Sequence, residues 1–441
     1  MSKFVNRAIM LSSDKRKAIV DLVKREVVPA IGCTEPVAVS LCVARATELL
    51  GQKPEKINVQ LSANILKNAM GVGIPGTGMT GLPIAMALGA IVGRSEYELE
   101  VLKDANQAAV EEGKKMIDAK CIDVDLKYNI TEKLYIEVEV FAGGASAMAI
   151  ISGGHTRFIH VSRCGETLFS LEAASTNDSA NTVAEVKDPE LTLKRVWDFA
   201  MTAPLEELNF ILEAKRLNMN AAKESLKGDY GHAIGKLFRM ESERNIMGDT
   251  LHCQIVGMTT AACDARMAGA MIPVMSNSGS GNQGLTSTVP VAVYAEQIGA
   301  TEEQTIRSLI LSHLTVIYIK QSLGRLSALC GCVVAATGSS CGITYLMGGG
   351  YEEVSGAVKN MVANLTGMIC DGAKPSCALK VSSGVSTAVL SAMLAIQNKH
   401  VTSVEGLIED DVDRSIRNMT RIGAEGMNET DRMVLDIMTH K

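Results

Sequence analysis

Three cysteines in the C-terminal half of the chain are the strongest candidates for chemistry. Cys370 and Cys377 bracket a short polar turn, and Cys330 lies earlier, at the end of an apolar helical pattern. A returning helix could bring the three together, and thiolates are soft ligands that suit zinc, cuprous copper and iron–sulfur clusters. The alternative is that they are small core residues, since free cysteine is among the most buried residue types. Spacing alone leaves both interpretations open, because it lacks the paired C-x-x-C pattern of zinc ribbons.

Cys33, in the segment GCTEP, is a second candidate. Thr34 can cap a helix that carries Glu35 and Pro36 in its first turn and ends at Gly51. A thiol just before a helix N-terminus can have its pKa lowered from about 8.5 into the range of about 3.5–7.5. The position therefore predicts a reactive thiolate or a proton-transfer group. A small buried residue near a loop is the alternative.

Two glycine-rich segments could bind an anion. The first, GVGIPGTGMTG at 71–81, precedes a predicted helix, and its glycines would let backbone N–H groups approach a carboxylate or phosphate. No Gly-Lys-Ser/Thr follows, so it is not a Walker-type nucleotide loop, and a tight packing loop is the alternative. The second, SNSGSGNQG at 276–284, concentrates hydroxyl, amide and N–H groups between apolar helices. That density of hydrogen-bonding groups favours a ligand loop over a plain linker.

The composition is that of an ordinary soluble globular protein, with 47% hydrophobic and 21% charged residues. The net charge of −6 is spread along the chain, which gives no sign of a nucleic-acid or membrane partner. No apolar run reaches transmembrane length and no signal pattern opens the chain, so we expect a cytoplasmic protein. The 11 cysteines, an odd number, indicate thiols and ligands rather than a disulfide framework.

The elements that must position these residues divide the chain into two predicted domains. Residues 1–187 combine helical segments with strand-like runs, which predicts an α+β domain, a mixed sheet with helices. After a polar linker at 181–189, helical periodicity dominates. Residues 188–441 are therefore predicted to form a large all-α helical domain that carries Cys330, Cys370 and Cys377.

Several local predictions accompany this division. The segments 95–119 and 302–330 each predict one helix, the second opened by a capping box at Thr301. His155 and His160 alternate with apolar residues and are predicted to be strand residues rather than metal ligands.

The combination of motifs resembles the L-cysteine desulfidase family, also called the UPF0597 group, which is related to the alpha part of iron–sulfur L-serine dehydratases. The resemblance covers nearly the whole chain. It is carried by GCTEP (32–36), NAMGVGIPGTGMTGLP (68–83), SNSGSGNQG (276–284), GRLSALCG (324–331) and CDGAKPSC (370–377).

The resemblance implies a cytoplasmic lyase that uses a [4Fe–4S] cluster to convert L-cysteine to hydrogen sulfide, ammonia and pyruvate. The cluster ligands would map onto Cys330, Cys370 and Cys377, and the family's basic or reactive thiol onto Cys33. An active site at the domain interface is expected, with a small amino acid as the substrate. The candidate substrate-binding residues are Asn68, Thr77, Gly78, Ser278, Gly279, Asn282 and Gly284. Cys332 and Cys341 are neighbours that do not fall on the ligand pattern.

Other functions remain open at this point. The same cluster could serve an L-serine dehydratase or a non-catalytic iron–sulfur or redox sensor, and the three thiols could hold a structural zinc ion. Pyridoxal phosphate also supports β-elimination and would need a lysine, for which Lys320 and Lys374 are available. A homodimer is possible.

Overall fold

The structure, a computed structural model, describes residues 8–171, 188–240 and 244–440. Most of the linker predicted at 181–189 lies outside the described residues. The elements of the first part are α1 (Ser13–Glu26), β1 (Pro29–Ile31), α2 (Thr34–Leu50), β2 (Lys56–Leu61), α3 (Ala63–Ala69), α4 (Leu82–Ile91), α5 (Gln107–Asp118), β3 (Ile122–Leu126), β4 (Tyr135–Ala142), β5 (Ala145–Ser152), β6 (Phe158–Arg163) and β7 (Glu166–Ser170).

Six strands of this part form one sheet in the order β3-β2-β4-β5-β6-β7. β2 and β3 are parallel and the other neighbours are antiparallel, so the predicted mixed sheet is confirmed. Along β4, buried Ile136, Val138 and Val140 alternate with more exposed residues, as expected of a strand with one face on a core. The largely buried α2 packs on that face and ends at Gly51, which adopts the left-handed conformation.

The second part is dominated by helices, as predicted. Its elements are α6 (Leu193–Thr202), α7 (Leu205–Leu208), α8 (Leu212–Lys227), α9 (Ile234–Leu237), α10 (Arg244–Met247), α11 (Leu251–Met267), β8 (Pro273–Met275), α12 (Gly281–Gln297), α13 (Glu302–Leu323), α14 (Gly331–Leu346), α15 (Tyr351–Leu365), α16 (Cys377–Ile396), α17 (Val412–Arg421) and α18 (Asn428–Thr439).

The described residues form two hydrophobic cores. One is formed by the sheet with α2 and α4, and the other by the helices from α6 onward. α1 packs with the helical core through Ile19, Leu22 and Val23, although it lies at the start of the chain. β1 pairs with β8 in a short antiparallel ladder that joins the start of the chain to the helical part. Residues that follow β1 and β8 therefore lie close together.

One described helix, α16 (Cys377–Ile396), is long and apolar enough to cross a membrane. It packs against α11, α14 and α15, as a core helix does, so its composition is weak evidence for a membrane span.

Four local predictions differ from the structure. The segment 95–119 contains a 3₁₀ turn and then α5, because Glu98 has a positive φ of 46° and Asn106 caps a new helix. The short strands β1, β7 and β8 were not predicted. The segment 302–330 is helical only as far as Leu323, since Gly324 has a φ of 83°. Cys330 consequently caps α14 at its start instead of ending α13.

Candidate active site

Cys330, Cys370 and Cys377 line one cavity of about 100 Å³. Two antiparallel segments bring the first two together, because the Cys330 amide donates to Met368 O at 3.0 Å and the Cys370 amide to Ala328 O at 2.6 Å. A tight turn then returns the chain to Cys377, which opens α16. The turn needs glycine at 372, where φ is +86° and a Cβ would lie 2.3 Å from the carbonyl oxygen of Lys67.

The N-terminal ends of four helices converge on this cavity. Cys33, Ser280, Cys330 and Cys377 line it, and they lie at the starts of α2, α12, α14 and α16. Helix N-termini carry partial positive charge and unpaired N–H groups, which favour anions. Lys380, one turn into α16, lines the same cavity. The electrostatic environment therefore suits thiolates, a carboxylate or both.

Burial raises the pKa of two of the three cysteines. It raises the pKa of Cys330 to about 12, with a further contribution from neighbouring Cys370, and it also raises the pKa of Cys377. No three His, Cys, Asp or Glu side chains in the described part of the chain lie close enough to hold a single metal ion. A structural zinc site needs ligands about 2.0–2.3 Å from one ion. The described residues therefore show no preformed zinc site, and the same finding applies to a metal cluster.

Cys33 lies beside a carboxylate that the sequence analysis did not single out. Its Sγ donates to Glu35 Oε2 at 3.0 Å, and Asn68 Nδ2 donates to the other oxygen of Glu35 at 3.2 Å. Burial and the negative charge of Glu35 raise the pKa of Cys33, while Arg266 opposes them. The expectation of a lowered thiol pKa is thus wrong, because desolvation outweighs the helix end.

The loop that was predicted to bind the substrate carboxylate turns partly away from the cavity. The amides of Ser276 and Ser278 donate to Val28 O and Glu26 O at 2.8 and 2.9 Å, which anchors the loop to the segment after α1. Ser278, with φ of 49°, directs its hydroxyl to Asn277 Oδ1. Ser278 lines a separate cavity, near Glu26. The later part of the loop does reach the cysteine cavity, which is lined by Ser280, Asn282 and Gln283.

Gly279 and Gly284 lie in close contact with other parts of the chain. A Cβ on Gly279 would lie 2.8 Å from the His155 ring, and one on Gly284 would lie 1.9 Å from Met275 O. His155, predicted as a strand residue, lies in the turn after β5 and is buried.

The structure brings together part of the predicted set. The predicted site residues that line the cavity are Cys33, Asn68, Asn282, Cys330, Cys370 and Cys377. Those placed outside its lining are Thr77, Gly78, Ser278, Gly279 and Gly284. Thr77 Oγ1 donates to Ile74 O at 2.8 Å within its own loop, and Gly78 is exposed, because this loop closes on itself at the surface.

Cys332 and Cys341, the two cysteines near the predicted ligands in the sequence, differ in their position relative to the cavity. Cys332 lines the cavity and its Sγ donates to Lys380 O at 3.1 Å, whereas Cys341 is buried farther along α14, outside the lining. Of the two lysines considered for pyridoxal phosphate, Lys320 donates to Arg325 O and Lys374 pairs with Asp371. Neither lines the cavity.

Three buried polar atoms in the cavity wall have no hydrogen-bond partner: Asn68 Oδ1, Arg266 Nε and Gln283 Oε1. Buried polar groups in native proteins are nearly always satisfied, so these atoms indicate a polar ligand. Arg266 and Gln283 were not predicted as site residues. The available signal was a pair of charged residues, Asp264 and Arg266, inside a helix that is largely apolar.

Comparison with known proteins agrees with this arrangement of motifs. The family model described as serine dehydratase alpha chain matches residues 96–436. A UPF0597 protein of Bacteroides fragilis is 67% identical over 431 residues, which cover 98% of this chain and 100% of the relative. A UPF0597 protein of Oleidesulfovibrio alaskensis is 47% identical over 422 residues, covering 96% and 97% of the two chains. The chain therefore belongs to the UPF0597 group, within the family of the serine dehydratase alpha chain.

Proposed function

We propose that the protein is an iron–sulfur-dependent lyase that catalyses β-elimination on L-cysteine and releases hydrogen sulfide, ammonia and pyruvate. The observation that carries the proposal is the single cavity in which three thiols, four helix N-termini and the Cys33–Glu35 pair meet. Membership of a serine dehydratase-like family supports a lyase acting on an amino acid.

The thiols at 330, 370 and 377 fit a [4Fe–4S] cluster by their chemistry. Each cysteine of such a cluster binds a different iron, so the sulfurs stand farther apart than around one zinc ion. With three protein ligands one iron stays open, and when bound the cluster supplies a Lewis acid for the β-substituent.

The residues of the chain itself would handle the Cα proton. Cys33 Sγ accepts this proton while its own proton passes to Glu35 Oε2, 3.0 Å away. Asn68 Nδ2 holds the Glu35 carboxylate in place from the other side. Loss of the Cα proton and of the β-substituent gives aminoacrylate, which tautomerises to the imine and takes up water to form pyruvate and ammonia.

L-Serine is the second candidate substrate, because the matching family is described as serine dehydratase alpha chain. Elimination from serine breaks Cβ–O in place of Cβ–S and yields the same pyruvate and ammonia. The two reactions differ in the group released, and the residues around Cα serve both.

Turnover by the full-length protein tests the proposal. The chain is purified without oxygen, reconstituted with iron and sulfide, and assayed for sulfide and pyruvate from L-cysteine and for pyruvate from L-serine. The expected result is equal sulfide and pyruvate from cysteine at a kcat/KM above that for serine. A higher kcat/KM for serine would make the protein a serine dehydratase. Iron and labile sulfide without turnover of either amino acid would indicate a sensor.

A further inference from the structure

Arg266 is a buried cation in the cavity wall that makes no ion pair with any described residue. It lies in the last turn of α11 and is 4% exposed. Its Nη1 donates to Asn282 Oδ1 at 3.0 Å, while its Nε has no partner. The C-terminal end of a helix favours a cation, but it gives these N–H groups nothing to bond. A buried guanidinium ordinarily has an anion beside it.

Gly281 makes room for this guanidinium. A Cβ at 281 would lie 2.2 Å from Arg266 Nε and 2.7 Å from Cζ, so even alanine would displace the group. Because Gly281 is the first residue of α12, the guanidinium lies against a helix N-terminus. Two positive features facing the same space are mutually unfavourable unless an anion lies between them.

The cavity also offers acceptors. Asn68 Oδ1 and Gln283 Oε1 are buried without donors, and the Glu35 carboxylate lies next to Asn68. Unpaired acceptors and a carboxylate suit an ammonium group, which carries N–H donors and no acceptor. The wall thus provides a cation for a carboxylate and acceptors for an ammonium group.

We propose that Arg266 binds the α-carboxylate of the substrate and that Asn282 Oδ1 fixes the plane of its guanidinium. Asn68 Oδ1 and Gln283 Oε1 accept hydrogen bonds from the α-ammonium group. The inference rests on the proposed function in taking the ligand to be the elimination substrate. It gives to Arg266 the carboxylate-binding role that was expected of the 276–284 loop.

Two matched thiols separate the carboxylate from the ammonium group. 3-Mercaptopropionate has the carboxylate without the amine, and cysteamine has the amine without the carboxylate. Their dissociation constants are measured by calorimetry on the reconstituted full-length protein, Arg266→Gln and Arg266→Lys. Arg325→Gln is the control, because Arg325 lies near the same loop, pairs with Glu26 and does not line the cavity. Iron content is measured for every variant.

We expect Arg266→Gln to raise the dissociation constant of 3-mercaptopropionate about 10- to 100-fold, the range for a lost charge-assisted contact. The dissociation constant of cysteamine should stay within about threefold of the wild-type value. Arg266→Lys, which keeps the charge without the planar fork, should lose less. Arg325→Gln should bind both thiols as the wild type does. This binding pattern would support the carboxylate site even if neither amino acid were turned over, so the two proposals can fail separately.

Three results would overturn the inference. Unchanged binding of 3-mercaptopropionate in Arg266→Gln would remove the carboxylate contact. Equal weakening of both thiols would indicate general damage to the cavity. Loss of iron from both Arg266 variants would make Arg266 a counter-charge for the cluster. If Arg266→Gln fails to fold, Arg266→Lys carries the test, because it must still bind 3-mercaptopropionate less tightly than the wild type and cysteamine equally well.

Discussion

The Cys33 thiol donates to the Glu35 carboxylate across 3.0 Å, between two residues at the start of one helix. The helix N-terminus would favour a thiolate, whereas burial and Glu35 raise the pKa of the thiol. The resting pair therefore holds its proton on sulfur, and the carboxylate is the group that can take it. The two side chains act as one proton acceptor.

Replacing Glu35 by glutamine should lower kcat by about 10²–10⁴-fold, because general acid–base catalysis contributes about that much. Iron content should not change, since none of the proposed cluster ligands is altered. Steady-state kinetics and iron analysis provide the measurement. Glu48→Gln, in the exposed last turn of the same helix, is the matched control and should retain the wild-type kcat. A wild-type kcat in Glu35→Gln would remove Glu35 from the mechanism.

Alanine at Cys330, Cys370 or Cys377 should each reduce the iron retained after anaerobic reconstitution and abolish lyase activity. The reason is that each thiol is expected to bind a different iron of the cluster. Iron and labile sulfide per chain are the measurement. Cys341→Ala, on the same helix as Cys330 but outside the cavity lining, should keep both. Full iron in Cys370→Ala would refute that ligand assignment.

Local sequence signals predicted much of this site. The cap expected at Thr34 is wrong, because Cys33 holds the N-cap position of α2 and makes no side-chain cap hydrogen bond. The glycine at the end of α2 and the polar turn between Cys370 and Cys377 are each encoded within a few residues. These signals do not depend on what the rest of the chain does. The mixed sheet and the helical second half followed from hydrophobic periodicity for the same reason.

The cavity lining could not be predicted in the same way. Arg266 enters the site because Gly281 admits its guanidinium, a contact between two different helices. Ser278 is turned away because its amide bonds to Glu26 O, more than two hundred residues earlier. The pKa of Cys33 is raised mainly by its burial in the folded protein. Each of these features depends on contacts between residues that are far apart in the sequence, and a local sequence pattern does not predict such contacts.

Gly284→Ala should lower the free energy of unfolding by about 3 kcal/mol, because its Cβ would lie 1.9 Å from Met275 O on the neighbouring strand. Urea unfolding measures the change. Gly367→Ala is the control, since no atom lies within 4 Å of a Cβ there. Equal stability of the two variants would show that Gly284 is free to relax, and its predicted role in substrate binding would then be the better explanation for glycine.

Stability below pH 6.5 should depend on His313. Burial lowers the pKa of His313 from 6.5 to about 3. Asn277 Nδ2 donates to its Nδ1, so its proton lies on Nε2, toward Thr288. The folded protein keeps the ring neutral while the unfolded chain takes up a proton. With respect to His313, the free energy of unfolding is therefore at its highest above about pH 6.5. It declines as the pH falls toward 3, at up to about 1.4 kcal/mol per pH unit.

The His313→Gln variant isolates this contribution. Its free energy of unfolding, measured in urea from pH 7.5 to pH 5, should fall less steeply with decreasing pH than that of the wild type. The difference between the two slopes corresponds to the uptake of at most one proton on unfolding. Curves that run parallel would show that His313 does not titrate between the two states.

Asp431→Asn should lower both stability and iron retention, because Asp431 connects α18 to the cysteine turn. Lys67 is 1% exposed, forms an ion pair with Asp431 and donates to Cys370 O at 3.2 Å. Without the carboxylate, the buried ammonium group of Lys67 has only the carbonyl oxygen of Cys370 as a partner. The segment that carries Cys370 also loses its connection to α18. A loss of at least about 2 kcal/mol is expected. Asp436→Asn, exposed on the same helix, should cost nothing measurable, and an equal effect of the two variants would locate the cause in α18 itself.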